Sequence, residues 1–473
     1  MKSIMKRINL IISMMALVIA LSSCEDFLTY EPSDSVNDET AFNTAKDVEN
    51  ALNGVYYTLG RYQFYGRNVV ALGDIAADNM YMVGTSGHFD QIYKYLINVD
   101  SPDLLDIWDM GYKTIDRSAR LISSGKLLLE GDLTQNDEAS IKQAISQAYG
   151  LKALSHFALV NIFGLPYSQE NASTPGIVVV GDEPIVAFEE VSRSTVGETY
   201  NQILADIQSA RANISDVPRN AFLFDEAALD ALEARVKLYM KDWAGARTAA
   251  LSAIEKSGGS LVKSADDYYG MWTSVSPTSE DIFTISKLAN DNLSANALNT
   301  LYGSYDGKAT SGLVSLFEEN DMRLQLFEGE GETARGLKYM GLPSSAATSN
   351  IPVFRLPEMY LIVAEAQAQL GEEEDAIDYL WEVASRNPDL EKNDLPVEQA
   401  DLLNFISVER RRELFQEGHR WFDLRRTGEI MSRVGGNFPI TNWDASQFVY
   451  PLPSQEVNAS GLAQNDGWDT ALP

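Results

Sequence analysis

Three histidines, His88, His156 and His419, are where metal or general-base chemistry would be looked for first, and none has a second His or Cys at metal-ligand spacing. His156 falls in an apolar helical stretch and reads as a satisfied core residue. No phosphate-cradling loop is present, because the "DGK" ending at Lys308 has Tyr302 where the first glycine should stand. "GEGETA" at 329–334 imitates a dinucleotide fingerprint but follows no strand pattern and reads as a turn. A G-x-S-x-G elbow is absent. Carboxylates are numerous enough that a glycosidase pair is not excluded by count, yet no spacing singles one out. The sequence gives no positive sign of catalysis, and no cofactor or metal is expected.

The one remaining reactive group is Cys24, the only cysteine of the chain. It cannot form an internal disulfide. Lys2, Lys6 and Arg7 make a basic head, Leu10 to Leu21 is apolar apart from Ser13, and Ser22 and Ser23 follow. That is the layout of a secretory signal, here residues 1–23, and the apolar run is shorter than the roughly 20 residues a membrane-spanning helix needs. Leu21-Ser22-Ser23-Cys24 resembles the bacterial lipobox, whose cysteine carries acyl chains that hold a protein stably on a membrane. Residues 24–38, polar and without period, then serve as a lipidated tether.

Removing residues 1–23, which carry those three cations and no carboxylate, takes the formal charge from -31 to -34. Nucleic acid and anionic membrane surfaces would be repelled by such a body, since phosphate binding depends on clustered Lys and Arg. With 45% hydrophobic residues the chain can bury a large core, and its size calls for one body built of sub-layers or two intimately packed parts.

The elements that must position any site are mainly helices. "NDETAFNTAKDVENALNGVYYTL" sets Ala41, Val48, Leu52, Val55 and Tyr56 at helical spacing behind capping residues, and "IWDMGYKTIDRSARLIS" repeats the pattern with Ile107, Tyr112, Ile115 and Leu121. Two stretches resemble each other, 232–254 and 360–383. Each is a helix, a short polar turn and a second helix, with alanines twelve apart, Ala234 and Ala246 in one and Ala364 and Ala376 in the other. Small residues let helices approach closely, which is the logic of tetratricopeptide pairs. Helical units are expected over about 39–257 and 353–430 of a single body spanning 39–473. A loop-rich lobe lies between them at about 258–352, and residues 431–473 form a C-terminal segment. The lobe is rich in Gly, Ser, Asn and Thr with Tyr268, Tyr269, Trp272, Tyr302 and Tyr305 set in it, and such aromatics argue against disorder.

The densest stretch is "ISVERRRELFQEGHRWFDLRRTGE", 406–429. It reads as a helix in which Glu409 reaches Arg412 and Arg410 reaches Glu413, while Leu414, Phe415, Trp421, Phe422 and Leu424 face a core. Charge among aromatics implies a partly buried network of arginine forks and carboxylates, structural rather than catalytic.

This stretch closely resembles the signature of the SusD/RagB family of surface glycan-binding lipoproteins of Bacteroidetes. "ALGDIAADNM" (71–80), "HFALVNIFGLPY" (156–167), "RLPEMYLIVAEAQAQLG" (355–371) and "YPLPSQEVNASGLAQNDGW" (450–468) follow in the order of that family's landmarks. The resemblance implies a mainly α fold of about four tetratricopeptide-like units packed against an irregular ligand lobe. It also implies a lipid-anchored protein on the cell surface, at the outer membrane, that captures an oligosaccharide, or in some relatives a peptide. The partner implied is a SusC-like TonB-dependent transporter, facing the helical side. A surface glycosidase and a purely structural tetratricopeptide scaffold are the other readings.

A pyranose ring offers an apolar face and a rim of hydroxyls, so a site for it wants flat aromatic platforms with polar partners around them. Two places qualify. The loop after "GDIAADN" offers Tyr81, His88 and Phe89 among glycines, and the lobe offers Trp272, Tyr302 and Tyr305 with Asn292 and Asp306. At least one of Tyr81, Trp272, Tyr302 and Tyr305 is expected to be a platform, with Trp443 a weaker candidate. Asp74, Asp78 and Asn79 are expected to brace the fold. The net charge favours neutral sugars over uronic or sulfated ones.

Overall fold

The computed structural model describes residues 42–468 apart from 84–85, 215–217, 332–333, 343–344, 346 and 434–437. Cys24, the signal and the tether lie outside the described residues. Eleven helices carry the frame: α1 (Ala45–Leu59), α2 (Asn68–Ile75), α3 (Pro102–Leu128), α4 (Gln135–Phe163), α5 (Val196–Asn213), α6 (Glu226–Met240), α7 (Trp243–Ser257), α8 (Leu356–Leu370), α9 (Glu373–Ala384), α10 (Gln399–Glu413) and α11 (Arg420–Thr427). Their starts are chemically specified. Thr44 and Thr195 each close a reciprocal capping box, with Asp47 and Glu198, and the Asp225 and Asp242 side chains accept from backbone N–H groups of the first turn.

Helices pack in sequence, α3 on α4 and α4 on α5, with α1 laid across α3 and α4. The two look-alike stretches form hairpins with the same joint. A left-handed residue, Lys241 at φ 60° in one and Gly371 at φ 77° in the other, reverses the chain between α6 and α7 and between α8 and α9. Ala234, Ala246, Ala364 and Ala376 are all fully buried. The hairpins also stack on each other, α7 against α8, although the whole loop-rich segment lies between them in sequence. Arg235 of α6 donates to both carboxylate oxygens of Glu358 in α8, at 2.6 Å each, a fork-to-fork bond across that junction. The fold is mainly helical with tetratricopeptide-like units, as the sequence leads one to expect.

Between α7 and α8 the described residues form only short helices and strands of two to five residues. Strand β2 (Asp281–Ile285) pairs antiparallel with β4 (Ile351–Arg355) and closes the base of this segment against the frame. Strand β1 (Met80–Met82), from the N-terminal part, pairs with β3 (Gly307–Ala309) from inside the segment.

One expectation is corrected. Residues 406–429 are not one helix: α10 ends at Glu413, Gln416 and Gly418 take left-handed conformations at φ 62° and 81°, and α11 begins at Arg420. The break exists because α2 crosses there backbone to backbone. A Cβ added at Gly73 would lie 2.3 Å from the Gly418 carbonyl oxygen, and one at Gly418 would lie 2.8 Å from the Val70 Cα. Gly73→Ala is therefore expected to destabilise the protein by about 1–3 kcal/mol or more, because the obstacle is backbone that cannot swing away. An unfolding midpoint in urea equal to that of the parent would show that the crossing is looser than described.

The break also re-pairs the charges. Arg410 donates to Asp423 at 3.1 and 3.2 Å rather than to Glu413, because Glu413 faces the interior, while Arg412 does meet Glu409 at 3.1 Å. Leu414, Phe415, Trp421, Phe422 and Leu424 are buried.

Asp74 is fully enclosed beside this crossing. Its carboxylate accepts from the Gly418 N–H at 2.7 Å, the Gln416 N–H at 3.1 Å and the Asn79 amide at 3.3 Å. Burial pushes its pKa up to about 7 from an ordinary 3.8, with those hydrogen bonds pulling the other way. The folded protein thus holds a proton that the unfolded chain releases. The associated stability is complete below the ordinary value and is lost as pH rises through about 7. Asp74→Asn should flatten the fall in stability across that window, which amounts to on the order of 4 kcal/mol in the parent. Urea midpoints measured at stepped pH check this, and an equally steep fall in the variant refutes the assignment.

Candidate functional site: a ring stack on two joined loops

The β1–β3 pairing has a register of Met80 to Ala309, Tyr81 to Lys308 and Met82 to Gly307, and it lays the loop after β1 against the loop before β3. The contact continues past the strands. Val83 N–H donates to the Asp306 carbonyl at 3.4 Å, and the Ser86 hydroxyl donates to the Tyr305 carbonyl at 3.2 Å across 219 positions of sequence. On this joint His88 and Tyr305 stack, ring centroids 4.1 Å apart and planes within 16°. Both are half-buried. Their neighbours Phe89 and Asp306 are left-handed, at φ 54° and 59°, and this turns the two chains so that the rings overlap.

Beneath the stack lies Arg67, in the loop that enters α2. Its guanidinium sits over the Tyr62 ring at 4.7 Å and the Phe89 ring at 5.7 Å, and it donates to the side-chain carbonyls of Asn68 at 2.9 Å and Asn296 at 3.2 Å. Burial and the Arg67 charge both hold the His88 pKa below its ordinary value, so the imidazole is neutral near pH 7. Asp103, in the first turn of α3, and Asp106, in the next, complete the surround. Burial pushes Asp103 up to about 6, Arg67 opposes and Asp106 adds, and Asp106 is itself raised by burial. The arrangement is two flat rings at a partly solvated surface, with a carboxylate-screened cation and amides around them. It can hold a ligand that has an apolar face and a polar rim, and no nucleophile and base are set at bonding distance in it.

The residues expected from sequence part company here. His88 and Tyr305 come together. Asn292 stands in the neighbouring loop, but its amide donates to the Ala289 carbonyl at 2.6 Å and its carbonyl accepts from Ser294 N–H at 2.9 Å, so it shapes the loop that presents Asn296. Tyr81, Trp272 and Tyr302 stand apart from the stack and are buried, 5%, 5% and 1% exposed. Trp272 packs edge-on to Tyr268 and Tyr339 with the Lys338 ammonium 4.8 Å from its ring, and Tyr302 stacks on Tyr339 at 6.3 Å. Tyr81 points inward from β1. Trp443 stacks on Trp421 at 5.6 Å in an aromatic cluster with Tyr95 and Phe448. Asp78 braces, taking the Arg420 fork at 2.8 and 3.1 Å. Arg67, Asn296, Asp103 and Asp106 were missed by sequence reasoning. The run "RYQFYGRN" at 61–68, arginines among aromatics just before "ALGD", is the signal that could have found Arg67.

His156 is a core residue. Its Nε2 accepts from Val180 N–H at 3.3 Å, and burial lowers its pKa. No helix among the described residues is long and apolar enough to cross a membrane, and no cluster of potential metal ligands occurs among them.

Comparison with known proteins gives the same frame. The SusD family model matches residues 341–468, and a SusD-like model described as starch-binding and associating with outer membrane matches residues 26–238. SusD-like protein P2 of Formosa agariphila is 23% identical over 520 residues, covering 97% of this chain and 99% of its own. The crystal structure of a SusD superfamily protein from Bacteroides vulgatus superposes with a TM-score of 0.82 at 27% identity, covering 90% of this chain and all of that one. A SusD-like carbohydrate binding protein from the same species superposes with a TM-score of 0.76 at 20% identity, covering 89% and 97%. Neither family model reaches residues 239–340, where Tyr305 and Asn296 lie. The frame that carries the site is thus a shared one, and the chain belongs to the SusD/RagB family.

Proposed function

We propose that this chain is a glycan-binding lipoprotein of the cell surface that captures an oligosaccharide at the His88–Tyr305 stack and delivers it to a SusC-like TonB-dependent transporter in the outer membrane. The single observation that carries the reading is that stack: two parallel rings 4.1 Å apart at a partly solvated surface, with arginine, asparagine and aspartate around them. Flat rings meet the C–H face of a sugar, and the rim meets its hydroxyls. Support for the ligand class comes from the family model described as starch-binding and from the carbohydrate-binding relative of like fold. Support for the location comes from the same model's outer-membrane association and from the lipobox-like Leu21–Cys24. The neutral imidazole of His88 and the carboxylate-screened Arg67 favour neutral sugars.

Affinity electrophoresis of the chain from residue 25 onward, in gels cast with neutral, uronic and sulfated polysaccharides, tests this. Retardation by a neutral glycan is the expected result. Retardation by none of them overturns glycan capture in favour of a peptide ligand, and retardation only by the anionic gels overturns the neutral preference.

A further inference from the structure

A groove with a volume of about 420 Å³ runs beside α3, walled by the segment around Val178–Val191 and by the short helix Ser454–Ser460, and none of the ring-stack residues lines it. Its floor is apolar. Trp108 and Tyr112, one turn apart on α3, have ring centroids 4.7 Å apart, and the Tyr112 hydroxyl donates to the Val178 carbonyl at 2.9 Å, which leaves the ring and not the hydroxyl for an occupant. Its lip is a tight turn. Glu189 N–H donates to the Val186 carbonyl at 3.1 Å, and Val186 N–H donates to the Glu189 carboxylate at 3.0 Å. The turn holds Phe188 left-handed at φ 67° and wholly in solvent, 104% exposed, beside Val186 at 63%. An aromatic residue that is both conformationally disfavoured and fully solvated is an unfavourable feature for a free surface. Around the mouth stand three carboxylates, Asp116, Glu189 and Glu456.

Two occupants fit these facts poorly. A molecule of pocket size would fill the floor and leave Phe188 in water. A second copy would bring a body of formal charge -34 without residues 1–23 against an acidic rim. We infer that the groove docks a segment of a partner protein that carries apolar side chains flanked by lysine or arginine. The apolar side chains lie on Tyr112, which Trp108 backs from within, and under Phe188, and the flanking cations meet Asp116, Glu189 and Glu456, so that charge sets partner choice and burial supplies affinity.

The test uses an array of ten-residue peptides with randomised apolar centres flanked by Lys-Lys, Ser-Ser or Glu-Glu, probed with the chain from residue 25 onward. Capture concentrated on Lys-flanked peptides is expected, falling at least tenfold for Phe188→Ser and for Glu456→Gln, and weakening as salt is raised. Both substitutions are on the surface, and an unchanged thermal unfolding temperature shows that each variant is folded. Capture that ignores the flanks, capture that survives Phe188→Ser, or no capture on any peptide overturns the inference. So does an apolar dye that fills the groove while no peptide binds, which would assign the groove to a small molecule.

Discussion

Tyr305→Ala is expected to abolish retardation by the glycan that the parent binds while leaving the unfolding temperature within a degree or two. Tyr305 is half-buried, and one face of its ring is stacked on His88 at 4.1 Å. Truncation therefore removes a platform without opening the core. Loss of a central aromatic contact in a small binding site amounts to about 2 kcal/mol or more, roughly a 30-fold rise in Kd. Trp272→Ala should also weaken binding, but by another route. That ring is 5% exposed and lies 4.8 Å from the Lys338 ammonium and 5.2 Å from the Arg355 guanidinium, so its removal should lower the unfolding temperature first. Measuring retardation and thermal unfolding on both variants separates a residue that touches ligand from one that holds the lobe. Tyr305→Ala with undiminished retardation would refute the ring stack as the site.

The contrast between those two aromatics shows how far the sequence could be read. The helical frame was legible because burial leaves a period. Alanines twelve apart mark where two helices close on each other, and the same joint recurs at Lys241 and Gly371. The candidate site was legible as two loops rich in rings, but not as one place. Joining them takes the pairing of β1 with β3, and three-residue strands reading "MYM" and "GKA" carry too few residues to show alternation. Exposure was not legible either. Trp272 and Tyr305 sit in similar polar surroundings in the sequence, and which one is buried depends on charged residues brought from distant segments to lie against Trp272. The same holds for Glu413, whose arginine at helical spacing turns to Asp423 because three other arginines occupy the space inside.

Those arginines make Glu413 the residue whose loss should matter most to stability. Its carboxylate accepts from Arg386, from Arg355 at 3.0 Å and from Arg323 at 3.4 Å, and all four side chains are buried. Glu280 bonds Arg355 at 2.7 Å and also Arg386, Glu417 bonds Arg355 and Lys338, and Asp321 and Glu409 bond Arg323. Burial alone would raise the Glu413 pKa, but Arg386, Arg355 and Arg323 together outweigh it and hold the group ionised well below the usual range. The network also has a mechanical role. Glu280, Asp321, Arg323 and Lys338 belong to the loop-rich segment, while Arg386, Glu409 and Glu413 belong to the helical frame, so these bonds fasten the segment that carries Tyr305 to its support. Glu413→Gln leaves buried guanidinium charge uncompensated, which should destabilise the protein by about 3–5 kcal/mol. Because the folded pKa is depressed, this contribution is present above the unfolded value and is lost as pH falls through the folded one. The deficit of the variant should therefore be full at neutral pH and shrink only in strong acid. Limited proteolysis at neutral pH should cut the variant first between α7 and α8, before the helices, if the network is what fastens the lobe. A variant that unfolds in urea within about 1 kcal/mol of the parent, with an unchanged cleavage pattern, would mean that the remaining carboxylates compensate and that the lobe is held by its apolar contacts instead.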